Sequence, residues 1–231
     1  MATSLATLRT RARTRADAVD NNFFSDAEVD RYINVGLGEL HDILVSKFED
    51  YYVSYVDFNL ISGTKNYTFG SLGIDNFYKC LGVDVTDSGE TVRMRSFSFP
   101  ERDRFSSTAI TGRGGYADYQ YQVRGDGIEI VPEPNTTSSI RLWYIPGFED
   151  LVENDDEIRA FIMSNWEEYA VVTAVYKMKE KEELSTTAIE RELKALTGRI
   201  ESAAANRDAG EPGGISDELE GTRPGWLRAY S

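Results

Sequence analysis

The sequence predicts an α+β fold in which an antiparallel four-helix layer carries an inserted antiparallel β barrel or sandwich module and continues into an extended C-terminal tail. Three patterns lead to this prediction. Apolar residues recur at helical spacing near both ends of the 231-residue chain. Between these regions, apolar and polar residues alternate as they do in half-buried strands. A glycine-rich break near Gly210 then separates the last helix from the tail.

The first predicted helix runs from about Ser4 to Val19. Its narrow apolar stripe consists of Leu5, Leu8, Ala12, Ala16 and Val19. Four arginines flank this stripe on both sides: Arg9, Arg11, Arg13 and Arg15. Their alkyl stems can cover the edges of the stripe, while the guanidinium groups either stay solvated or meet the carboxylates of a neighbour.

A second helix is predicted from Ser25, because Ser25-Asp-Ala-Glu28 is a capping box in which the serine and the glutamate each bond the other's free backbone amide. Phe23, just before the box, can pack onto the first turn. The helix extends to about Tyr51 along one apolar face, formed by Val29, Ile33, Leu37, Leu40, Leu44 and Phe48. We expect the first two helices to pack as a hairpin.

Strand patterns begin near Val53, where the period of the apolar positions changes to two. The predicted strands are 53–60, 66–69, 78–86, 91–95, 119–124, 128–131 and 139–145. Asp87-Ser-Gly89 and Gly125-Asp-Gly127 are turns between neighbouring strands, and the second is a strong hairpin signal. Residues 100–105 indicate a short helical turn, and Gly112-Arg-Gly-Gly115 indicates a flexible loop.

Helical spacing returns after the last strand. The third predicted helix has its apolar face from Ile158 to Tyr176 and ends near Glu183, and the fourth follows a cap at Ser185 or Thr186. These patterns divide the chain into a helical hairpin (1–52), the β module (53–149), the helices that complete the bundle (150–207) and the tail (208–231).

The tail has no core of its own, yet it carries Trp226, Leu227 and Tyr230 near its end. Each large apolar side chain gains about 1.5–3 kcal/mol only where another surface buries it. Ordering each residue costs about 1–2 kcal/mol in backbone entropy, so three anchors cannot fix the whole tail. Either the anchor region alone becomes ordered in a partner, or the tail backbone also pairs with the partner's strands.

The formal net charge of −14 argues against a protein that grips nucleic acid over a broad surface, because such binding depends on lysine and arginine. Simple solubility accounts for the same charge. The single cysteine, Cys80, cannot form an internal disulfide. No window approaches the roughly 20 apolar residues of a membrane span. The sequence therefore favours a soluble protein made in a cytoplasm.

The chain is poor in the residue patterns that catalysis needs, and we expect no catalytic residue, cofactor or metal. The one histidine, His41, lies within the second helix, where a structural or surface role is favoured. An acidic run from Glu149 to Glu157 lacks the ligand spacing of a calcium loop, and its last members suit the N-terminus of the third helix. Paired carboxylates for glycan cleavage stay open, since their separation depends on the fold.

Three segments resemble the head-to-tail adaptor (connector) proteins of tailed bacteriophages. They are Leu5-Ala-Thr-Leu-Arg-Thr-Arg11, the stretch from Phe24-Ser-Asp-Ala-Glu28 to Tyr32-Ile-Asn-Val-Gly-Leu-Gly-Glu-Leu40, and Leu142-Trp-Tyr-Ile-Pro146 ahead of a helix with Trp166-Glu-Glu-Tyr-Ala170. Together these segments cover the helical parts and the strand that leads back into them. They are patterns of helix capping and packing, and not a catalytic signature.

The resemblance implies a structural protein that forms a ring, usually of twelve copies, below the portal protein and continues the DNA channel. Genomic DNA would pass through the ring without sequence-specific binding. The helical bundle would contact the portal and neighbouring adaptor subunits, with Arg9, Arg13, Trp166 and Tyr169 at the subunit interface. Such a protein is assembled in the host cytoplasm, has no contact with a membrane and lies at the head-tail junction of the virion.

The resemblance also assigns the tail to the portal. Trp226, Leu227 and Tyr230 would be the anchors, with Arg223 and Arg228 as charge partners.

The β module would then form the platform that receives tail nozzle or tube proteins, with Arg113 and Tyr116 as docking residues. Two other functions stay open. One is a tail-associated peptidoglycan-degrading enzyme, for which Glu153 and Glu157 of the acidic run are the candidate carboxylates. The other is a host-surface or carbohydrate-binding module, which the many aromatic residues of the β module would suit.

Overall fold

The computed structural model describes residues 3–19, 23–47, 52–87, 89–100, 119–135, 137–158 and 166–205. Its helices are α1 (Leu5–Ala16), α2 (Asp26–Lys47), α3 (Glu167–Lys181) and α4 (Thr187–Ala205). Its strands are β1 (Ser54–Asn59), β2 (Asn66–Thr68), β3 (Phe77–Asp87), β4 (Glu90–Arg93), β5 (Arg95–Ser96), β6 (Gln120–Arg124), β7 (Gly127–Val131) and β8 (Ser139–Pro146). The predicted α+β class and the order of helices and strands are confirmed.

Helix α1 begins and ends with local caps. The Ser4 side chain accepts a hydrogen bond from the Thr7 amide at 3.4 Å, which satisfies one of the free amides of the first turn. Asp17 ends the helix in the left-handed conformation, with φ 57°. The predicted stripe is buried up to Ala16, but Val19 lies beyond the helix end and is 62% exposed.

The start of α2 shows half of the predicted capping box. The Glu28 amide donates to Ser25 Oγ at 3.3 Å. The Glu28 carboxylate, however, accepts from Lys181 Nζ at 2.7 Å and from Tyr32 Oη at 2.8 Å, instead of bonding the Ser25 amide. These two hydrogen bonds, that from Lys181 first, lower the pKa of Glu28. The carboxylate thus ties the first turn of α2 to the last turn of α3.

The predicted helix from Ile158 to Glu183 is not continuous, because α3 begins at Glu167 after a non-helical Trp166 with φ −122°. Residues 159–165 lie outside the described ranges. The Ile158 amide donates to the Thr3 carbonyl at 3.2 Å, and Glu157 forms an isolated β-bridge with Ser4. This stretch is therefore a connecting segment that pairs with the backbone ahead of α1. The acidic residues in the first turn of α3 are Glu167 and Glu168, and not the end of the acidic run.

The four described helices share one apolar core, with α3 in contact with each of the other three. The predicted hairpin of α1 and α2 is present within this bundle. Helices α2 and α3 approach closely at Gly36, where an added Cβ would lie 2.8 Å from Ala170 Cα and 3.0 Å from Thr173 Cβ. A larger side chain at this position would push the two helices apart. The arrangement of the helices as a single layer stays a prediction.

The β module consists of two four-stranded sheets in the described ranges. Sheet 1 has the order β1-β8-β3-β4 and is antiparallel, and sheet 2 has the order β2-β7-β6-β5. Apolar side chains from both sheets form a second core, which includes Val83, Leu142, Ile128 and Ile130. The β module therefore has an apolar core distinct from that of the helices, while the predicted domain boundaries stay a prediction.

The prediction left a barrel and a sandwich open, and the two sheets do not close into a barrel within the residues described. The chain passes from sheet 1 to sheet 2 at Met94, between β4 and β5. Strand β5 has two residues and pairs in parallel with β6. No strand at the edge of sheet 1 pairs with a strand at the edge of sheet 2 in the described ranges, so the two sheets stay separate.

Paired hydrogen bonds hold the exit of the β module against α2. Asn34 on α2 donates from Nδ2 to the Leu151 carbonyl at 2.9 Å and accepts from the Leu151 amide at 3.0 Å. About two turns along the same helix, the His41 ring nitrogen Nε2 lies 3.2 Å from the Pro146 carbonyl. Helix α2 therefore positions the β module relative to the helical core.

We predict that Gly36→Ala lowers the free energy of unfolding by roughly 1–2 kcal/mol, because overpacking against Ala170 and Thr173 outweighs the gain in helix propensity. Gly198→Ala in α4 is the matched control. No atom lies within 4 Å of a Cβ added there, so this change raises stability by up to about 1 kcal/mol. Urea denaturation of both variants measures the two changes, and equal shifts of the same sign would contradict the close approach of α2 and α3.

Candidate functional site

The arginines of α1 meet carboxylates of their own chain. On one flank, Arg9 donates from Nε and Nη2 to the two carboxylate oxygens of Asp30, both at 2.6 Å. Arg13 donates to the Phe24 carbonyl at 2.7 Å and to Asp26 at 2.8 Å. The hydrogen bonds that Arg9 donates to Asp30 raise the pKa of Arg9, although burial opposes this shift. This flank closes α1 onto the start of α2.

The other flank of α1 reaches α3 and α4. Arg11 donates to Glu167 and Glu168, at 2.5 Å to each. Arg15 pairs with Glu168 and donates to Glu192 on α4 at 2.6 Å. We call Arg9, Arg11, Arg13 and Arg15 the arginine ladder. Through this ladder, one short helix is paired with the other three described helices.

The four predicted subunit-interface residues all make contacts within this chain. Arg9 and Arg13 belong to the ladder, and each side chain is only 15% exposed. Trp166 precedes α3 and packs partly buried against the helical core. Tyr169 is buried and its hydroxyl donates to Glu39 at 3.2 Å. Their contact with a neighbouring subunit stays a prediction.

The other predicted docking residues lie outside the described ranges. These are Arg113 and Tyr116 of the glycine-rich loop, and Arg223, Trp226, Leu227, Arg228 and Tyr230 of the tail. Their docking roles also stay predictions.

The outer surface of sheet 1 carries an ordered group of aromatic and charged side chains that we call the aromatic-arginine face: Tyr55, Asp57, Asp84, Arg141 and Trp143. The Arg141 guanidinium lies over two rings, 4.3 Å from the centroid of Tyr55 and 5.4 Å from that of Trp143. The same guanidinium donates to both carboxylate oxygens of Asp57, at 2.7 and 2.8 Å. The Trp143 indole donates to Asp84 at 2.7 Å. Each member is thus fixed by another.

Strand register explains why these side chains meet. Tyr55 lies opposite Trp143, while Asp57 and Asp84 lie opposite Arg141 from the two neighbouring strands. The hydrogen bonds with Arg141 lower the pKa of Asp57, so the pair stays ionised. Tyr55 remains 53% exposed. The result is a solvent-facing patch of tyrosine, tryptophan and arginine, which are the residue types that dominate protein-protein hot spots, on a rigid sheet.

Sequence reasoning did not single out this face. The alternation of residues in the two strands contained the necessary information. In β1, Tyr55 and Asp57 occupy the alternate positions that face solvent. In β8, Arg141 and Trp143 alternate with buried Ile140 and Leu142. An aromatic residue on the polar phase of a strand indicates a surface role. The register between β1 and β8, which joins the two signals, is not readable from either strand alone.

A cavity of about 280 Å³ lies between α2 and the segment after β8. We call it the junction cavity, and its lining residues are Leu37, His41, Tyr52, Pro146, Gly147, Phe148, Glu149, Asp150, Leu151, Asp156, Glu157 and Ile158. His41 is buried, with its ring 4.6 Å from that of Tyr52. The predicted structural role of His41 agrees with this position at the junction of the two cores.

A metal site and an activated thiol each place requirements on the titratable side chains of the described residues. They contain no group of three or more histidine, cysteine, aspartate or glutamate side chains that could hold a metal ion. Burial raises the pKa of the Cys80 thiol, which disfavours a thiolate nucleophile. Burial and the neighbouring Cys80 raise the pKa of Tyr121 to about 12. Asp156 accepts the amides of Glu153 and Val152, which lowers its pKa and gives it a turn-forming role.

No helix in the described ranges has the length and apolar character needed to cross a bilayer.

The family model described as SU10 adaptor protein matches residues 3–215 of the chain. The match therefore includes every helix and strand given above and ends before the predicted docking residues of the tail. Among curated proteins, none matches the chain.

The structure predicts that Arg9 and Asp30 are strongly coupled. A double-mutant cycle with Arg9→Met and Asp30→Asn should give a coupling energy of about 1.5–3 kcal/mol, because the pair is bidentate and charge-assisted, and its side chains are only 15% and 17% exposed. Lys177 and Glu180, which are 37% and 56% exposed, should give about 0.3–0.5 kcal/mol. Urea unfolding measures both cycles, and equal values would mean that the ladder does not hold α1 in place.

Proposed function

The chain belongs to the SU10 adaptor protein family, in agreement with its resemblance to phage head-to-tail adaptors, and we propose that it is a structural adaptor of a tailed-phage virion. Copies of the chain form a ring of twelve below the portal protein. The ring extends the DNA channel and receives the tail. The protein is assembled in the host cytoplasm and resides at the head-tail junction.

The arginine ladder is the observation that carries this proposal. An adaptor must hold two assemblies at a fixed distance and orientation and must bear the force between them. Each copy therefore has to act as a rigid body. Arg11 and Arg15 pair α1 with α3 and α4, while Arg9 pairs it with α2. The ladder thus uses its charges within the copy, to hold the bundle together. A non-enzymatic role fits this use of the charged residues.

The charge of the protein supports passage of DNA without binding. The net charge is −14, and the ladder arginines are already paired with carboxylates. Broad DNA binding requires cationic side chains that can displace counterions from phosphates. Acidic copies around a channel repel phosphates within a Debye length of about 8–10 Å, so the genome slides through the ring.

The C-terminal residues 222–231 anchor the adaptor in the portal. They carry Trp226, Leu227 and Tyr230 beside Arg223 and Arg228, a composition typical of interface hot spots. They lie beyond the end of the family match at residue 215, so their support is the sequence itself. Twelve weak anchors held on one ring act together and give a durable joint.

The aromatic-arginine face receives a tail nozzle or tube protein. Its tyrosine, tryptophan and arginine are pre-organised by Asp57 and Asp84, so a partner would not have to order them. Arg113 and Tyr116, also in the β module, are further docking residues in this proposal.

Deletion of residues 222–231 should abolish binding to the portal ring of the same phage. Native mass spectrometry of the mixture should show a portal complex with twelve copies of the intact chain and no complex with the truncated chain. Removal of residues 216–221 alone, which keeps the anchor, is the control and should leave the complex intact. Unchanged docking of the truncated chain would overturn the portal anchor.

Tyr55→Ala should weaken binding to purified tail particles at least about 30-fold, since a hot-spot truncation costs about 2 kcal/mol or more. Val152→Ala is the control, because Val152 is 74% exposed but lies outside the aromatic-arginine face. Surface plasmon resonance compares the two variants with the parent chain. The platform assignment fails if both variants bind tails as the parent does, or if Tyr55→Ala also loses the portal.

A further inference from the structure

The junction cavity combines apolar walls with a negatively charged opening. Its walls include Leu37, Phe148 and Ile158, and its volume is about 280 Å³. Three carboxylates at the cavity, those of Glu149, Asp150 and Glu157, make no hydrogen bond or ion pair within the described part of the chain. The carboxylates that face α1, in contrast, are paired with arginines. The cavity therefore offers an apolar site with unused negative charge at its edge.

The complementary chemistry occurs at the C-terminal end of the same chain. Residues 222–231 carry Trp226, Leu227 and Tyr230 together with Arg223 and Arg228, and they contain no aspartate or glutamate. The preceding segment, residues 206–221, carries several acidic residues and would be repelled by the cavity. The match of apolar and basic character is thus confined to the final ten residues.

The path of the chain puts these residues within reach of the cavity. Near the end of α4, the Glu201 carboxylate lies 3.2 Å from Lys47 Nζ at the end of α2. His41, which lines the cavity, is about 9 Å from Lys47 along α2 at ~1.5 Å per residue. Residues 206–221 can extend to about 50 Å at ~3.3 Å per residue. The linker is therefore long enough for residues 222–231 to return to the cavity of their own copy.

We infer that residues 222–231 dock in the junction cavity of the same chain when no partner is present, with Trp226 against the apolar walls and Arg223 and Arg228 facing Glu149, Asp150 and Glu157. A linker of this length holds the segment near the cavity at a high effective concentration, so modest complementarity is sufficient. The inference goes beyond the proposed function, because it concerns the isolated chain. If residues 222–231 also anchor the portal, then the portal competes with the cavity for them.

Fluorine NMR of the intact chain, labelled with 5-fluorotryptophan, tests this inference without any portal present. The three resonances come from Trp143, Trp166 and Trp226. The resonance that is missing from the spectrum of the Trp226→Phe variant is that of Trp226. We expect the Trp226 signal to differ in chemical shift from the free peptide 222–231 and to show little solvent isotope shift. The double variant Glu149→Lys/Asp150→Lys should move the signal to the peptide position, as should 1 M NaCl, which screens charges beyond about 3 Å.

The control variant Asp126→Lys/Glu183→Lys changes the net charge by the same amount at exposed positions that do not line the cavity, and it should leave the Trp226 signal in place. A Trp226 signal at the peptide position in the parent chain would overturn the inference. A release of equal size in the control would do the same, because the contact would then depend on net charge alone. A shift that disappears on dilution would assign the segment to the cavity of a second copy and overturn docking within one chain.

Discussion

The pairing of the α1 arginines with carboxylates on three other helices is the interaction on which the rest of the molecule depends. Helix α1 has 12 residues, a length at which an isolated helix is marginal in water. Its apolar stripe is narrow, so burial alone leaves its orientation weakly fixed. Arg9 binds Asp30 on α2, while Arg11 and Arg15 bind carboxylates on α3 and α4. The ladder thereby fixes the relative positions of all four described helices.

Helix α2 carries this rigidity to the β module. The Asn34 side chain hydrogen-bonds both the amide and the carbonyl of Leu151. The His41 ring lies within hydrogen-bonding distance of the Pro146 carbonyl, at the end of β8. Strand β8 is also the strand that presents Arg141 and Trp143. The aromatic-arginine face is therefore joined to the helical core through one strand and one helix. This continuity is what the proposed adaptor role between two assemblies requires.

The sequence was most informative where neighbouring residues decide the structure. The cap at Ser25 and the hairpin at Gly125-Asp-Gly127 are local, and both are present. Contacts between distant segments could not be predicted in this way. Glu28 bonds Lys181, 153 residues away, in place of its own capping partner. The two-residue strand β5 pairs in parallel with β6, a contact that no local sequence pattern predicts. The sequence indicated that four arginines flank the apolar stripe of α1. It did not indicate their carboxylate partners, because these depend on how the helices pack.

The central claim is that each copy is a prefolded rigid body that closes its arginine ladder internally and joins a ring below the portal. Cryo-electron microscopy of the portal mixed with this protein tests the claim most directly. The account predicts a ring on the portal in which Arg11 and Arg15 pair with Glu167, Glu168 and Glu192 of the same copy. A monomer that does not bind the portal, or a ring in which these arginines pair only with carboxylates of a neighbouring copy, would contradict it.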